Sequence, residues 1–318
     1  MKTVAVIMGG PSSEHDISMM SGMNVTHALQ GKYDVRPIVV TPTGAWLVGR
    51  KGVVMGPVDA LRGVDVVFNA THGEWGEDGK LQSLLAAFHI RHTGSKVAAS
   101  ALAMHKPRAN EALKKSGLNV PREKVFSRAH FDEAKALREI HQLSSPPWVI
   151  KPASRGSSIG TSIAKSLAEL PKAIDAAFAV DHTIIAQEYI QGRELTCGVL
   201  EGFEGQQHFA LPPVEIIPPK EASFFSAAVK YNGTTREVCP ADFHGAMLAS
   251  IRDTAVKAHV ALGCEQYSRT DMILKGQKLY VLEVNTLPGL TSESLFHKSA
   301  AAVGLPFEGL VEHLVETA

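Results

Sequence analysis

Apolar residues near the start of the chain come in runs rather than in alternation. "KTVAVIM" (residues 2–8) and "VDVVFNA" (64–70) are dominated by β-branched residues, the pattern of strands covered on both faces in a parallel sheet. Each leads into a glycine-bearing loop and then a helical period, so residues 1–95 predict an α/β layer.

The grammar changes after that point. "HKPRANEALKKSG" (105–117) carries Pro107 where a first turn tolerates it and Gly117 where a helix stops. "PPWVIKPASRGSSIG" (146–160) predicts a strand and a glycine-serine loop, and "LAELPKAIDAAFAV" (167–180) a helix. "TIIAQEYIQGRELTCGVLEG" (183–202) predicts two strands about a Gln191-Gly192 turn. A long polar segment (218–242), a helix over 244–263 and a hairpin, "YSRTDMILKGQKLYVLEVN" (267–285), complete the chain. The pattern divides the chain into an α/β unit, 1–95, and an α+β remainder that begins a new unit near residue 105. There is no internal repeat and no low-complexity tract.

Composition narrows the function classes. In 318 residues, 32 Lys+Arg balance 32 Asp+Glu, so neither nucleic acid nor a membrane surface is expected as a partner. Cys197, Cys239 and Cys264 are far apart and odd in number, against a disulfide framework and for a reducing cytoplasm. No apolar stretch approaches the roughly 20 residues of a membrane span.

The chemistry concentrates in four places. Arg269 and Asp271 share one strand face, and Glu283 and Asn285 another. If the turn is odd-numbered or a bulge corrects the parity, all four converge. Oxygen ligands of this kind suit Mg²⁺ that is also held by phosphates. "KPASRGSSIG" (151–160) has its lysine before the glycines, so it is no Walker A loop; a flap closing over phosphates with backbone N–H groups and Ser157 or Ser158 would need such small residues. In "NATHGEWGEDGKLQ" (69–82) the loop after a strand places His72 toward a ligand, whereas Glu77 and Asp78 read as decoration of a helix N-terminus. "MGGPSSEHDIS" (8–18) predicts a helix with Ser13 as N-cap and Asp16 at N3. Glu14 there makes a poor phosphate host and a reasonable partner for an ammonium or a lid hydroxyl.

Taken in order, "GGPSSEHDIS", "HGEWGEDGKLQ", "SALAMHK", "KPASRGSSIG", "QEYIQGRELT", "FFSAAVKY", "SRTDMIL" and "LEVNTLPGLTSESL" resemble the D-alanine:D-alanine ligases of the ATP-grasp superfamily over nearly the whole chain. The resemblance implies a three-domain ATP-grasp fold, divided as 1–95 α/β and two α+β units, 96–188 and 189–318, with ATP held between those two, and a homodimer. It implies the joining of two D-alanines through an acyl phosphate, releasing ADP and phosphate, for peptidoglycan precursors. Asp271, Glu283 and Asn285 match ligands of two Mg²⁺ (or Mn²⁺) ions. Lys106, Lys151 and Lys230 match phosphate lysines. Ser157, Ser158, Gln187, Glu188, Ile190, Glu194, Phe224 and Leu282 complete the matched nucleotide site.

On the substrate side, Arg269 and Gly289 match an oxyanion hole, Ser294 and Leu295 a carboxylate site. Glu14, Ile17 and His72 match contacts to the first D-alanine. Glu14, Ser157 and Tyr231 match a lid latch, and Tyr231 points to D-alanine rather than D-lactate as second substrate, with D-serine or D-lactate ligation the alternative. Three departures stand out. His105 replaces an aspartate and caps its helix less well, Gln187 stands where an acid is frequent, and Ser226-Ala227 replaces an aspartate-aromatic pair.

Overall fold

The computed structural model describes residues 1–219 and 235–318. It contains three sheets, built in chain order. The first uses β1 (Thr3–Gly9), β2 (Asp34–Val40), β3 (Trp46–Val48), β4 (Val53–Met55), β5 (Val66–Asn69) and β6 (Arg91–His92), in the order β4-β3-β2-β1-β5-β6. Strands β2, β1, β5 and β6 are parallel. β3 and β4 add an antiparallel edge. Six of the seven residues of β1 are buried, as its unbroken apolar run requires.

Helix α1 (His15–Leu29) covers this sheet; α2 (Pro57–Ala60) and α3 (Lys80–Ala87) connect its strands. α1 lies very close to β1: a Cβ on Gly22 would come 2.3 Å from Met8 Cβ, so only glycine fits there. The expected cap of α1 is not formed. The helix starts after Glu14, with no side-chain cap. Ser12 Oγ accepts from Glu14 N at 3.0 Å instead, turning the chain one residue before Ser13 could act.

Helices α4 (Val97–Met104) and α5 (Lys106–Lys115) follow. Pro107 sits in the first turn of α5 and Gly117 adopts φ +78° just beyond its end, as the sequence predicts. His105 Nδ1 accepts from Arg108 N at 3.4 Å, a long and weak cap. The second sheet is antiparallel, β7 (Glu123–Ser127), β10 (Thr183–Glu188), β8 (Trp148–Pro152) and β9 (Ser162–Ala164) in that spatial order, covered by α6 (Glu133–Leu143) and α7 (Leu170–Phe178).

β11 (Arg193–Glu201) opens the third sheet. The two strands read around Gln191-Gly192 therefore exist, but they do not pair with each other; the turn carries the chain from one sheet to the next. β12 (His208–Ala210), β13 (Val214–Ile217), β14 (Arg236–Val238), β15 (Tyr267–Lys275) and β16 (Lys278–Asn285) complete that sheet, all antiparallel. Its buried face packs against α8 (Gly245–Ala261) and also against α4 and α5 through Ala103, Ala109 and Leu113. Helices α9 (Leu295–Ala301) and α10 (Phe307–Glu316) turn back, and Leu310, Val311 and Leu314 meet Val25 and Leu29 of α1.

Candidate active site

The hairpin β15–β16 supplies the centre of the site. Its two-residue turn, Gly276-Gln277, would by itself place Glu283 opposite Thr270. A bulge at Leu282 corrects this: Met272 pairs with Val281, but Asp271 pairs with Glu283 and Arg269 with Asn285. All four polar side chains thus share one face of the strand pair, the opposite face to Met272, Leu274, Val281 and Val284 in the buried core.

They are held in a tight net. Arg269 donates Nε and Nη2 to Asp271 Oδ1 and Oδ2, both at 3.0 Å. Thr196 Oγ1 donates to Asp271 Oδ1 at 2.6 Å, and Asn285 Nδ2 to Oδ2 at 3.0 Å. Burial alone would lower the Arg269 pKa, but Asp271, Glu283 and Glu77 hold it above its ordinary value. Lys106, buried at the start of α5, pairs with Glu283 at 3.1 Å and donates to the Arg155 carbonyl at 2.7 Å. Lys151 on β8 is pushed down to about 8 by burial and by the neighbouring Lys106.

Two cavities meet at Glu283. One, of about 160 Å³, lies between the second and third sheets. Lys106, Lys151, Ser158, Gln187, Glu188, Ile190, Glu194, Leu282 and Asp271 line it, together with Glu283. In its corner Gln187 donates to Glu123 Oε2 at 2.8 Å, so the carboxylate here comes from the strand opposite. Glu188 is gripped by Arg122 through the backbone N at 2.8 Å and Nε at 2.9 Å.

The other cavity, about 460 Å³, is lined by Glu14, Ile17, His72, Ser157, Arg269, Asn285, Gly289, Ser294 and Leu295. Glu77 also lines it, contrary to its reading as helix decoration. Its carboxyl is pushed up to about 8 by burial and by the charge of Glu14; Gly73 N donates to it at 2.9 Å. Asp78 does serve the start of α3, accepting from Lys80 N at 3.1 Å. His72 is lowered to about 4, chiefly by burial and further by Arg269, against a backbone hydrogen bond to Leu287. Its Nε2 lies 2.9 Å from Ser21 Oγ.

Local folding explains these positions. The glycine pair after β1 offers no phosphate cradle, because its donors are used internally: Gly9 N donates to Ser18 Oγ at 2.8 Å and Gly10 N to Val40 O at 2.7 Å. The loop after β5 is pinned by Asn69 and Gln82, which both donate to Gly76 O, at 3.1 and 2.7 Å. At Gly73, with φ +73°, a Cβ would strike Ser12 Oγ and Glu14 Oε2.

The 153–161 loop is docked onto the first sheet's loops. Ser157 Oγ donates to Glu14, and Arg155 pairs with Glu74. Ser157 and Ser158 adopt φ +48° and +57°, a conformation costing L-residues about 1–2 kcal/mol each, which these contacts offset. Phe224, Lys230 and Tyr231, and Ser226-Ala227, lie outside the described residues. Thr196, Arg155 and Glu123 carry no role in the sequence analysis: Arg155 and Thr196 lie inside quoted motifs but are not their obvious chemical groups, Glu123 lies in none, and the roles of all three arise only from the elements that face them.

An antiparallel sheet pair closing on a cleft, joined to a parallel α/β layer, defines an ATP-grasp protein. Residues 3–56 and 50–95 match the family described as D-ala D-ala ligase N-terminus, and residues 112–316 that described as D-ala D-ala ligase C-terminus. The chain belongs to the D-alanine–D-alanine ligase family. It is 38% identical to D-alanine–D-alanine ligase from Syntrophobacter fumaroxidans, over 99% of this chain and 97% of the relative. Among solved structures it resembles the VanG D-Ala:D-Ser ligase of Enterococcus faecalis, with a TM-score of 0.87, 31% identity and 99% of both chains covered. It also resembles the Bacillus anthracis D-alanine–D-alanine ligase complexed with ATP, with a TM-score of 0.82, 30% identity and 99% and 96% covered.

Proposed function

We propose that this protein joins two D-alanines at the expense of ATP, supplying D-alanyl-D-alanine for peptidoglycan precursors. The observation that carries the proposal is the pair of cavities meeting at Glu283, one walled by the lysines and one by Glu14, Arg269 and Ser294. A phosphoryl group in the first lies beside a carboxylate in the second.

In this reading Lys106 and Lys151 hold the phosphates, with Ser158 and the loop N–H groups above them. Gln187, Glu188, Ile190, Glu194 and Leu282 hold the rest of the nucleotide. Asp271, Glu283 and Asn285 would hold Mg²⁺ or Mn²⁺. Their hard oxygens on one strand face fit such ions, and the bulge at Leu282 is what aligns them. Bound there, the ions would neutralise charge on the β- and γ-phosphates.

Glu14 takes the ammonium of the first D-alanine, with Ile17 near its methyl and His72 close by. The first carboxylate attacks the γ-phosphorus of ATP, the bond to the β-phosphate oxygen breaks, and an acyl phosphate and ADP result. The second D-alanine, its carboxylate held by Ser294 and the N–H of Leu295, attacks through its amine. Arg269 and the N–H of Gly289 receive the oxygen that becomes negative; the adduct then collapses, the C–O bond to phosphate breaks, and the amine proton leaves with the departing inorganic phosphate. The bond from Ser157 to Glu14 draws the loop over the site and keeps water out.

We further infer the division into units 1–95, 96–188 and 189–318, a homodimer, a cytoplasmic location and no nucleic-acid or membrane partner. In support, charges balance and no described helix is long and apolar enough to cross a membrane. The likeness to a D-Ala:D-Ser ligase favours D-serine as a second reading for the attacking substrate; the curated relatives at 38% identity favour D-alanine. Incubating the protein with ATP, Mg²⁺, D-alanine and an equal amount of D-serine, and weighing the products, separates the two: D-alanyl-D-alanine should dominate, and a dominant D-alanyl-D-serine would overturn the assignment.

A further inference from the structure

A second cluster of metal-ligand side chains lies away from this site. Glu201 ends β11 and His208 begins β12, directly opposite it in the antiparallel register, so their side chains leave the same face. His259 comes from the last turn of α8 and is fully buried. His259 Nε2 and His208 Nε2 lie 3.2 and 3.3 Å from the same Glu201 Oε1. The three ligand atoms all fall within 4.8 Å of one another. A tetrahedral ion with bonds of about 2.0–2.1 Å spaces its ligand atoms by about 3.3 Å.

The rest of each ligand is already fixed. His259 Nδ1 lies 2.8 Å from Ser268 Oγ, Glu201 Oε2 accepts from Gln266 N at 2.8 Å, and the Glu201 carbonyl accepts from His313 Nε2 at 2.7 Å. Outer partners of this kind orient metal-binding imidazoles and carboxylates. The His208 and Glu201 side chains are 21% and 29% exposed, which leaves a path for the ion and a solvent position for a fourth ligand.

We propose that Glu201, His208 and His259 form a zinc site, with water as fourth ligand, that clamps the β11–β12 corner to α8. Two imidazoles and one carboxylate suit Zn²⁺, whereas Mg²⁺ prefers oxygen alone, so this site and the Asp271–Glu283–Asn285 set select different ions. The nitrogen that binds the metal must be Nε2, which places the His259 ring proton on Nδ1, where Ser268 Oγ accepts it.

The test uses the full-length protein stripped with a chelator and kept in excess Mg²⁺ to cover the other set. Zn²⁺ alone is titrated by calorimetry, and Co²⁺ by visible absorption. The expected result is ~one Zn²⁺ per chain, the strong visible bands of four-coordinate Co²⁺, and a melting temperature that rises with Zn²⁺. His208→Gln and Glu201→Gln should each weaken Zn²⁺ binding at least about tenfold. His208 is partly exposed, so its variant should melt like the metal-free parent. Zn²⁺ binding equal in the parent and both variants, a six-coordinate Co²⁺ spectrum, or no binding in the parent would each overturn the site.

Discussion

His72 shows how burial sets the chemistry of one side chain. Its pKa falls from 6.5 to about 4 through burial and the neighbouring Arg269, against a hydrogen bond to the Leu287 backbone, so at neutral pH it is an uncharged hydrogen-bonding group. Between pH 6.5 and 4 the unfolded chain binds this proton and the folded chain does not. Stability present above pH 6.5 is therefore lost as pH falls, by about 3 kcal/mol in total. Thermal melts should show a steeper fall from pH 7 to 5 in the parent than in His72→Gln; equal slopes would contradict this. Glu14→Gln should raise the KM for D-alanine at least ~tenfold through loss of a charged partner, while ATP binding measured by calorimetry stays within about twofold. The charged residues of β15 and β16 were legible in the sequence because charge is anomalous on strands. Glu77 was not: an acid before a helix already has an explanation in the helix dipole, and only the folded chain brings it beside Glu14.

At the scale of elements, positions depend on small corrections that periodicity does not carry. The bulge at Leu282 is one; the sequence left open whether an odd-numbered turn or a bulge brings the two pairs to one face, and the two-residue turn makes it the bulge. The failed Ser13 cap is another, since Ser12 competes for the same backbone. Helix α1 carries Ile17 and begins directly after Glu14, and its seat on β1 rests on Gly22. Gly22→Ala should cost about 1–3 kcal/mol by overpacking against Met8, lowering the melting temperature and raising the KM for D-alanine more than that for ATP. The weak cap at α5 predicts the opposite sign: His105→Asp should stabilise by ~1 kcal/mol and leave turnover unchanged. A change in turnover without a change in melting would assign His105 to the chemistry instead.

At the scale of the molecule, the change from the parallel α/β layer to α+β structure was legible along the chain; the division of the α+β part came only with the family resemblance, and the long-range packing of the sheets was not legible at all. Nothing in α4 and α5 marks them as partners of the third sheet, and the return of α10 to α1 joins residues about as far apart as the chain allows. That return supports the wall of the cavity carrying Glu14: Leu314→Ala, at a fully buried position, should cost about 2–5 kcal/mol, read as a lowered denaturation midpoint. In the proposed function the two cavities perform one coupled reaction. It is tested most directly by measuring ADP release and product mass together, with ATP, Mg²⁺ and D-alanine as the sole amino acid. One D-alanyl-D-alanine should form for each ADP, with both lost in Glu283→Gln. ADP without dipeptide, or neither product from D-alanine, would contradict it.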